Sequence, residues 1–188
     1  MVKYGLDYTR CRWILPLLVG LAMIFGIIAL AGWGWMTTQT FPYTRRASLW
    51  SICFMEEGWV CRSLMTYAWG RAAAGTFLCG FVLVVICFAL AIIAFAIDTL
   101  RFNFIRGIGG LLFVAAVFSL MGLVIYPVMF NRYLPATAGA VTQLDWSYGF
   151  GWTMCIMAIC LGFFFCCLPL YEDHILGNVK PYYYPDMI

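Results

Sequence analysis

The side chains best suited to chemistry stand in three places. Glu172, Asp173 and His174 are consecutive near the C-terminus and supply acid and base types. Cys166 and Cys167 precede them and, with His174, supply zinc-ligand types. Cys53 and Cys61 flank a glutamate pair, Glu56 and Glu57. General acid–base catalysis needs a donor and an acceptor converging on one point, whereas neighbouring charges on a polar tail are more simply a solvated charge run. A zinc site from Cys166, Cys167 and His174 is one ligand short, and adjacent cysteines are poorly spaced for tetrahedral binding. No nucleophile motif and no phosphate-cradling glycine loop occurs. The chain is therefore read as non-enzymatic, without cofactor or metal.

The elements that position these residues follow from composition. Of 188 residues, 65% are hydrophobic and only 10% charged, too few charges to cover a water-soluble globule of this length, so the class is integral membrane protein. The net charge of +3 is spread thinly and gives no basic stripe for nucleic acid. Four apolar runs, about 14–35, 72–97, 107–130 and 147–169, each reach the roughly 20 residues that a helix needs to cross the hydrocarbon. None holds Asp, Glu, Lys, Arg or His, so the ionisable groups that an intramembrane enzyme or pump uses at depth are missing. The predicted fold is an all-α membrane four-helix bundle, a single tetraspan domain over 1–188, with outer loops 36–71 and 131–146 and an inner tail 170–188. Trp13, Trp33, Trp35, Trp69, Tyr126, Trp146, Tyr148 and Trp152 fall near the proposed helix ends, where rings sit at headgroup level.

Lys3, Arg10 and Arg12 precede the first span and argue for a cytoplasmic N-terminus, and four spans return the C-terminus to the same side. Cys53 and Cys61 are then the only cysteines in an outer loop. An oxidising compartment would close them into a bridge worth roughly 2.5 kcal/mol in loop entropy. Cys79, Cys87, Cys155 and Cys160 lie within spans and read as small apolar packing. Cys11, Cys166 and Cys167 sit at the cytoplasmic membrane boundary, the position favoured for palmitoylation, though unlipidated cysteines also occur there.

The 36–71 loop is too long for a bare connection and too aromatic for a tether. Its β-prone pieces TQTFPYTRR and SLWSICF predict a small extracellular sheet clamped by the bridge. A further strand at AVTQL in the second loop either joins that sheet or forms a separate finger. The chain ends DMI, with Asp186 two places before Ile188, which suits a PDZ ligand binding by β-augmentation.

Trp33 or Trp35 after the first span, Leu49 and Trp50 of SLW, Cys53, Cys61 and Arg71 together resemble the W…LW-x-x-C…C…R signature of the claudin and peripheral myelin protein superfamily. Longer stretches, CRWILPLL, IIALAG, YAWGRAAA, VIYPV, YGFGW and FFFCCLPLYED, are similar to one tetraspan branch of it across nearly the whole chain. The resemblance implies a left-handed four-helix bundle with an extracellular β-sheet lobe, plasma-membrane residence at cell–cell junctions, desmosomal adhesion of epithelia and promotion of apoptosis. Partners would be the bilayer, junctional membrane proteins in cis or trans and a PDZ protein. Trp50 and the two cysteines would be structural, leaving Glu56, Glu57 and Trp59 as a contact tip. Two other readings share the signature: a claudin-type paracellular barrier or pore, with Glu56 and Glu57 setting a cation preference, and an auxiliary subunit of a membrane channel.

Overall fold

The computed structural model describes residues 14–39, 44–55, 58–96, 102–134 and 141–176. Four helices, α1 (Ile14–Ala31), α2 (Ala68–Ala96), α3 (Phe102–Tyr133) and α4 (Trp146–Leu176), carry nearly all the apolar sequence. Each is long and apolar enough to cross a membrane. Between α1 and α2 lie the strands β1 (Met36–Gln39), β2 (Thr44–Ala47), β3 (Ser51–Met55) and β4 (Trp59–Ser63), followed by a single 3-10 turn, Leu64–Thr66. A fifth strand, β5 (Val141–Leu144), precedes α4.

Helix ends follow local chemistry. α1 stops at Ala31, short of Trp35, because Gly32 and Gly34 weaken helical continuation. The Gly32 N–H closes on the Ile28 carbonyl at 2.9 Å. α2 begins at Ala68, four residues before the apolar run, so Arg71 lies inside its first turn. α4 continues past Pro169 to Leu176, taking the backbone of Glu172, Asp173 and His174 into the helix just before Gly177.

The sheet order is β4-β3-β2-β1-β5, all neighbours antiparallel. The second loop's strand therefore joins the first lobe and is no separate finger: Met36 pairs with Leu144 and Gln39 with Val141. Strand alternation divides the faces. Met36, Thr38, Ala47 and Ile52 point to the helices and are buried, and the opposite face carries Thr37, Arg46, Cys53, Trp59 and Cys61. One continuous core runs from these strand residues down through the bundle.

Within the bundle α2 packs on α3, α3 on α4, and α4 on α1. Lipid gives no hydrophobic force between helices, so backbones must approach closely. A β-carbon at Gly122 of α3 would lie 2.8 Å from the Ala73 carbonyl oxygen of α2. One at Gly109 would lie 2.9 Å from the Gly162 carbonyl oxygen of α4. Cys87 and Cys155 are buried in these contacts, whereas Cys79 and Cys160 are exposed on the outer surface of the helices and do not pack in the core.

Candidate functional site at the junction of sheet and bundle

A helix leaves its last four carbonyls without intrahelical partners, and near a membrane surface each needs a donor. The end of α1 meets this need with two of the signature tryptophans. The Trp35 indole N–H donates to the Ala29 carbonyl at 2.7 Å, and the Trp50 indole N–H donates to the Leu30 carbonyl at 2.8 Å. With Gly32 on Ile28, three of the four orphan acceptors are filled. The tryptophans arrive from different places, one from the link into β1 and one from the β2–β3 hairpin, so capping α1 docks the sheet onto it.

Trp35 is fully buried. Its ring meets Phe77 of α2 at 5.4 Å, Tyr126 of α3 at 4.9 Å and Tyr148 of α4 at 5.6 Å, all edge-on. Its backbone N–H donates to Ala47 of β2 at 2.9 Å, and its carbonyl accepts from the Asp145 N–H at 3.1 Å. Every helix and the sheet thus touch one residue. Trp33, the alternative for the signature position, is 68% exposed and plays no such part.

The SLWS segment is the turn joining β2 to β3. The Ser48 N–H donates to the Ser51 carbonyl at 2.8 Å, and the Ser48 hydroxyl accepts from the N–H groups of Trp50 and Ser51 at 3.2 and 3.0 Å. This is the local side-chain-to-backbone bonding that suits serine to turns. It plants Leu49, fully buried, in the core and swings Trp50 down to α1. The Ser48 carbonyl accepts from the Tyr126 hydroxyl of α3 at 2.7 Å, fixing the turn from below.

Pro127 accounts for the next contact. Proline has no N–H, so inside α3 it deprives the carbonyl four residues earlier, that of Leu123, of its helical donor. The Tyr148 hydroxyl of α4 fills the gap, donating to Leu123 O at 2.9 Å. Tyr126 and Tyr148 are buried with their hydroxyls paired, and Trp35 and Trp69 are buried too. These four are consequently not headgroup-belt residues as expected; they form the aromatic floor under the sheet. Sequence position near a helix end misled, whereas the proline inside a span was the signal, since it demands a donor for Leu123.

Asp145 precedes α4, its Oδ1 accepting at 2.8 Å from the Trp146 N–H, one of the first-turn donors that have no partner within the helix. Its Oδ2 accepts from the Thr37 hydroxyl of β1 at 2.8 Å, tying the helix start to the sheet.

Cys53 and Cys61 face each other across β3 and β4 and form a disulfide. Beside it, Trp33, Arg46 and Trp59 complete a shallow groove on the outward face. The Arg46 guanidinium lies 5.7 Å from the Trp59 ring centre, and Trp59 is half exposed. On the other face Arg45 lies 5.3 Å over Phe54. Arg71 sits exposed on α2, its N–H bonded to the Tyr67 carbonyl at 3.1 Å. Cys166 is half-buried, near the Gly109 crossing, and Cys167 is exposed. Glu56, Glu57, Cys11, Asp186 and Ile188 lie outside the described residues, as do the side chains of Glu172, Asp173 and His174.

No protein-family model matches the chain. Over 185 residues it is 38% identical to the p53 apoptosis effector related to PMP-22 of Danio rerio, a match that covers 97% of each protein. With the four apolar helices, the sheet placed between the first two and the tryptophan–cysteine signature built into their junction, that identity shows the chain to belong to the family of p53 apoptosis effectors related to PMP-22, the PERP family of claudin-like tetraspan proteins.

Proposed function

We propose that this protein is a non-enzymatic plasma-membrane tetraspan at cell–cell junctions, supporting desmosomal adhesion and epithelial integrity and promoting apoptosis. The observation that carries this reading is identity at 38% along almost the whole of both chains with a relative named as an apoptosis effector. A likeness that complete includes the sheet lobe as well as the spans. The sheet faces outward, where an oxidising environment maintains the Cys53–Cys61 bridge, and both termini are cytoplasmic.

The architecture suits adhesion. A lobe welded to all four helices through Trp35 transmits a lateral pull to the bundle without a flexible joint. Junctional proteins in cis or trans are the partners, with Trp59 in the contact surface and a PDZ protein at the tail.

The test is mechanical. Epithelial sheets lacking the protein, lifted by protease and agitated, break into several times more fragments than normal sheets. Wild-type re-expression restores cohesion, and a Trp35→Ala chain does not. Induced expression in the same cells raises caspase cleavage. Sheets whose cohesion and caspase activity ignore the presence of the protein overturn the proposal.

A further inference from the structure

The outward groove has the chemistry of an anion site at headgroup depth. Among the described residues Arg46 makes a ring contact with Trp59 and no ion pair. The guanidinium carbon lies 5.7 Å from the Trp59 ring centre, and among the described residues no carboxylate takes up its N–H donors, the kind that grip a phosphate. The walls are Trp33 and Trp59, both more than half exposed, and the floor is the disulfide.

Depth is bounded by the strand. Arg46 is two residues from Ser48, in the turn fastened to the end of α1 through Trp50. At about 3.3 Å per strand residue the Arg46 backbone stands at most roughly 7 Å beyond that turn. The headgroup layer outside the hydrocarbon is about 5–8 Å thick on each side. Trp33 follows α1 by two residues and Trp146 opens α4, both exposed, as rings at a membrane interface are. The groove therefore opens where phosphodiesters are most concentrated.

We propose that this groove holds the headgroup of a bilayer phospholipid, the phosphate on the Arg46 guanidinium and the glycerol end beside Trp33. A bound lipid would anchor the sheet to the leaflet beside it, taking the Arg46 side of Trp59 and leaving the rest of that half-exposed ring to a junctional partner. Binding would persist whether or not the protein acts in adhesion.

The test uses the full chain in nanodiscs of a phosphate-free galactolipid containing a small fraction of phosphatidylcholine with a photoreactive headgroup. Illumination should place adducts on the peptides containing Trp33 and Trp59. R46Q should reduce that labelling about tenfold, the ordinary effect of losing one charge-assisted contact. R46K should fall between wild type and R46Q, since it keeps the charge but loses the planar fork and the contact with the Trp59 ring. R45Q, on the opposite face, should change nothing. In the unaltered chain, extra unlabelled phosphatidylcholine should displace the label and diacylglycerol, which lacks the phosphate, should not. That arm decides the matter even if a variant fails to fold. Equal labelling in R46Q, adducts missing from both peptides, displacement by diacylglycerol or equal displacement by millimolar inorganic phosphate would each overturn the proposal.

Discussion

The Pro127–Leu123–Tyr148 arrangement makes a prediction with a built-in control. Tyr148 is 6% exposed and Leu123 fully buried, so their 2.9 Å bond is not exchangeable for one to water. Tyr148→Phe keeps the ring against Trp35 and removes only the hydroxyl, leaving the Leu123 carbonyl without its donor. An unsatisfied buried acceptor costs about 1–3 kcal/mol. Pro127→Ala restores a backbone N–H that can reach Leu123 O from within α3. In that background Tyr148→Phe should cost about 1 kcal/mol less than in the parent, because the carbonyl has a second donor. The four proteins would be compared by reversible denaturation in mixed micelles, followed by near-ultraviolet circular dichroism, and the coupling taken from the double-mutant cycle. The absolute effect of Pro127→Ala need not be known, since the cycle cancels it. Additivity within about 0.3 kcal/mol would refute the account of Tyr148 as a substitute for the missing helical bond.

Trp35→Phe should cost about 1–3 kcal/mol by stranding the Ala29 carbonyl, and Trp35→Ala should cost at least a further 1 kcal/mol for lost ring contacts, both measured in the same micelles. Trp50→Phe, at a partly exposed bond, should cost only about 0.5–1.5 kcal/mol, while loosening the lobe enough to speed proteolysis between β2 and β3. Replacing Cys53 and Cys61 together with serine should lower stability by about 2–3 kcal/mol, read from the denaturation midpoint, and the unaltered protein should show the same loss on reduction. Gly122→Leu should separate α2 from α3 and cut surface delivery several-fold, as scored by cell-surface biotinylation, with Gly75→Leu, where a β-carbon meets nothing within 4 Å, as the neutral partner.

Much of this was legible in the sequence, for physical reasons. The helices were readable because hydrocarbon thickness imposes a length, and the Cys53–Cys61 pairing because seven other cysteines sat in or beside apolar runs. The sheet was readable as to existence but not order. Whether VTQL joined it depended on β1 having a free edge, a fact about a partner more than a hundred residues away. The function of Trp35 and Trp50 was less visible. A tryptophan near a membrane boundary reads as an interface anchor on amphipathicity alone, and only geometry shows the indole N–H pointing at a helix end. Trp33 and Trp35, two residues apart with the same local composition, have opposite fates because Trp35 turns into the bundle while Trp33 turns out.

The pairing of β1 with β5 also sets a schedule. β1 has β2 on one side as soon as the first loop emerges, but its other edge waits for Val141–Leu144. At roughly 5–20 residues per second that strand arrives about 5–20 s later. During the delay β1 keeps an open strand edge, available to any passing strand. Closing it requires α2 and α3 to have crossed the bilayer, so an intact sheet certifies those two insertions. A chaperone that recognised bare β1 would need no other information to retain an unfinished molecule.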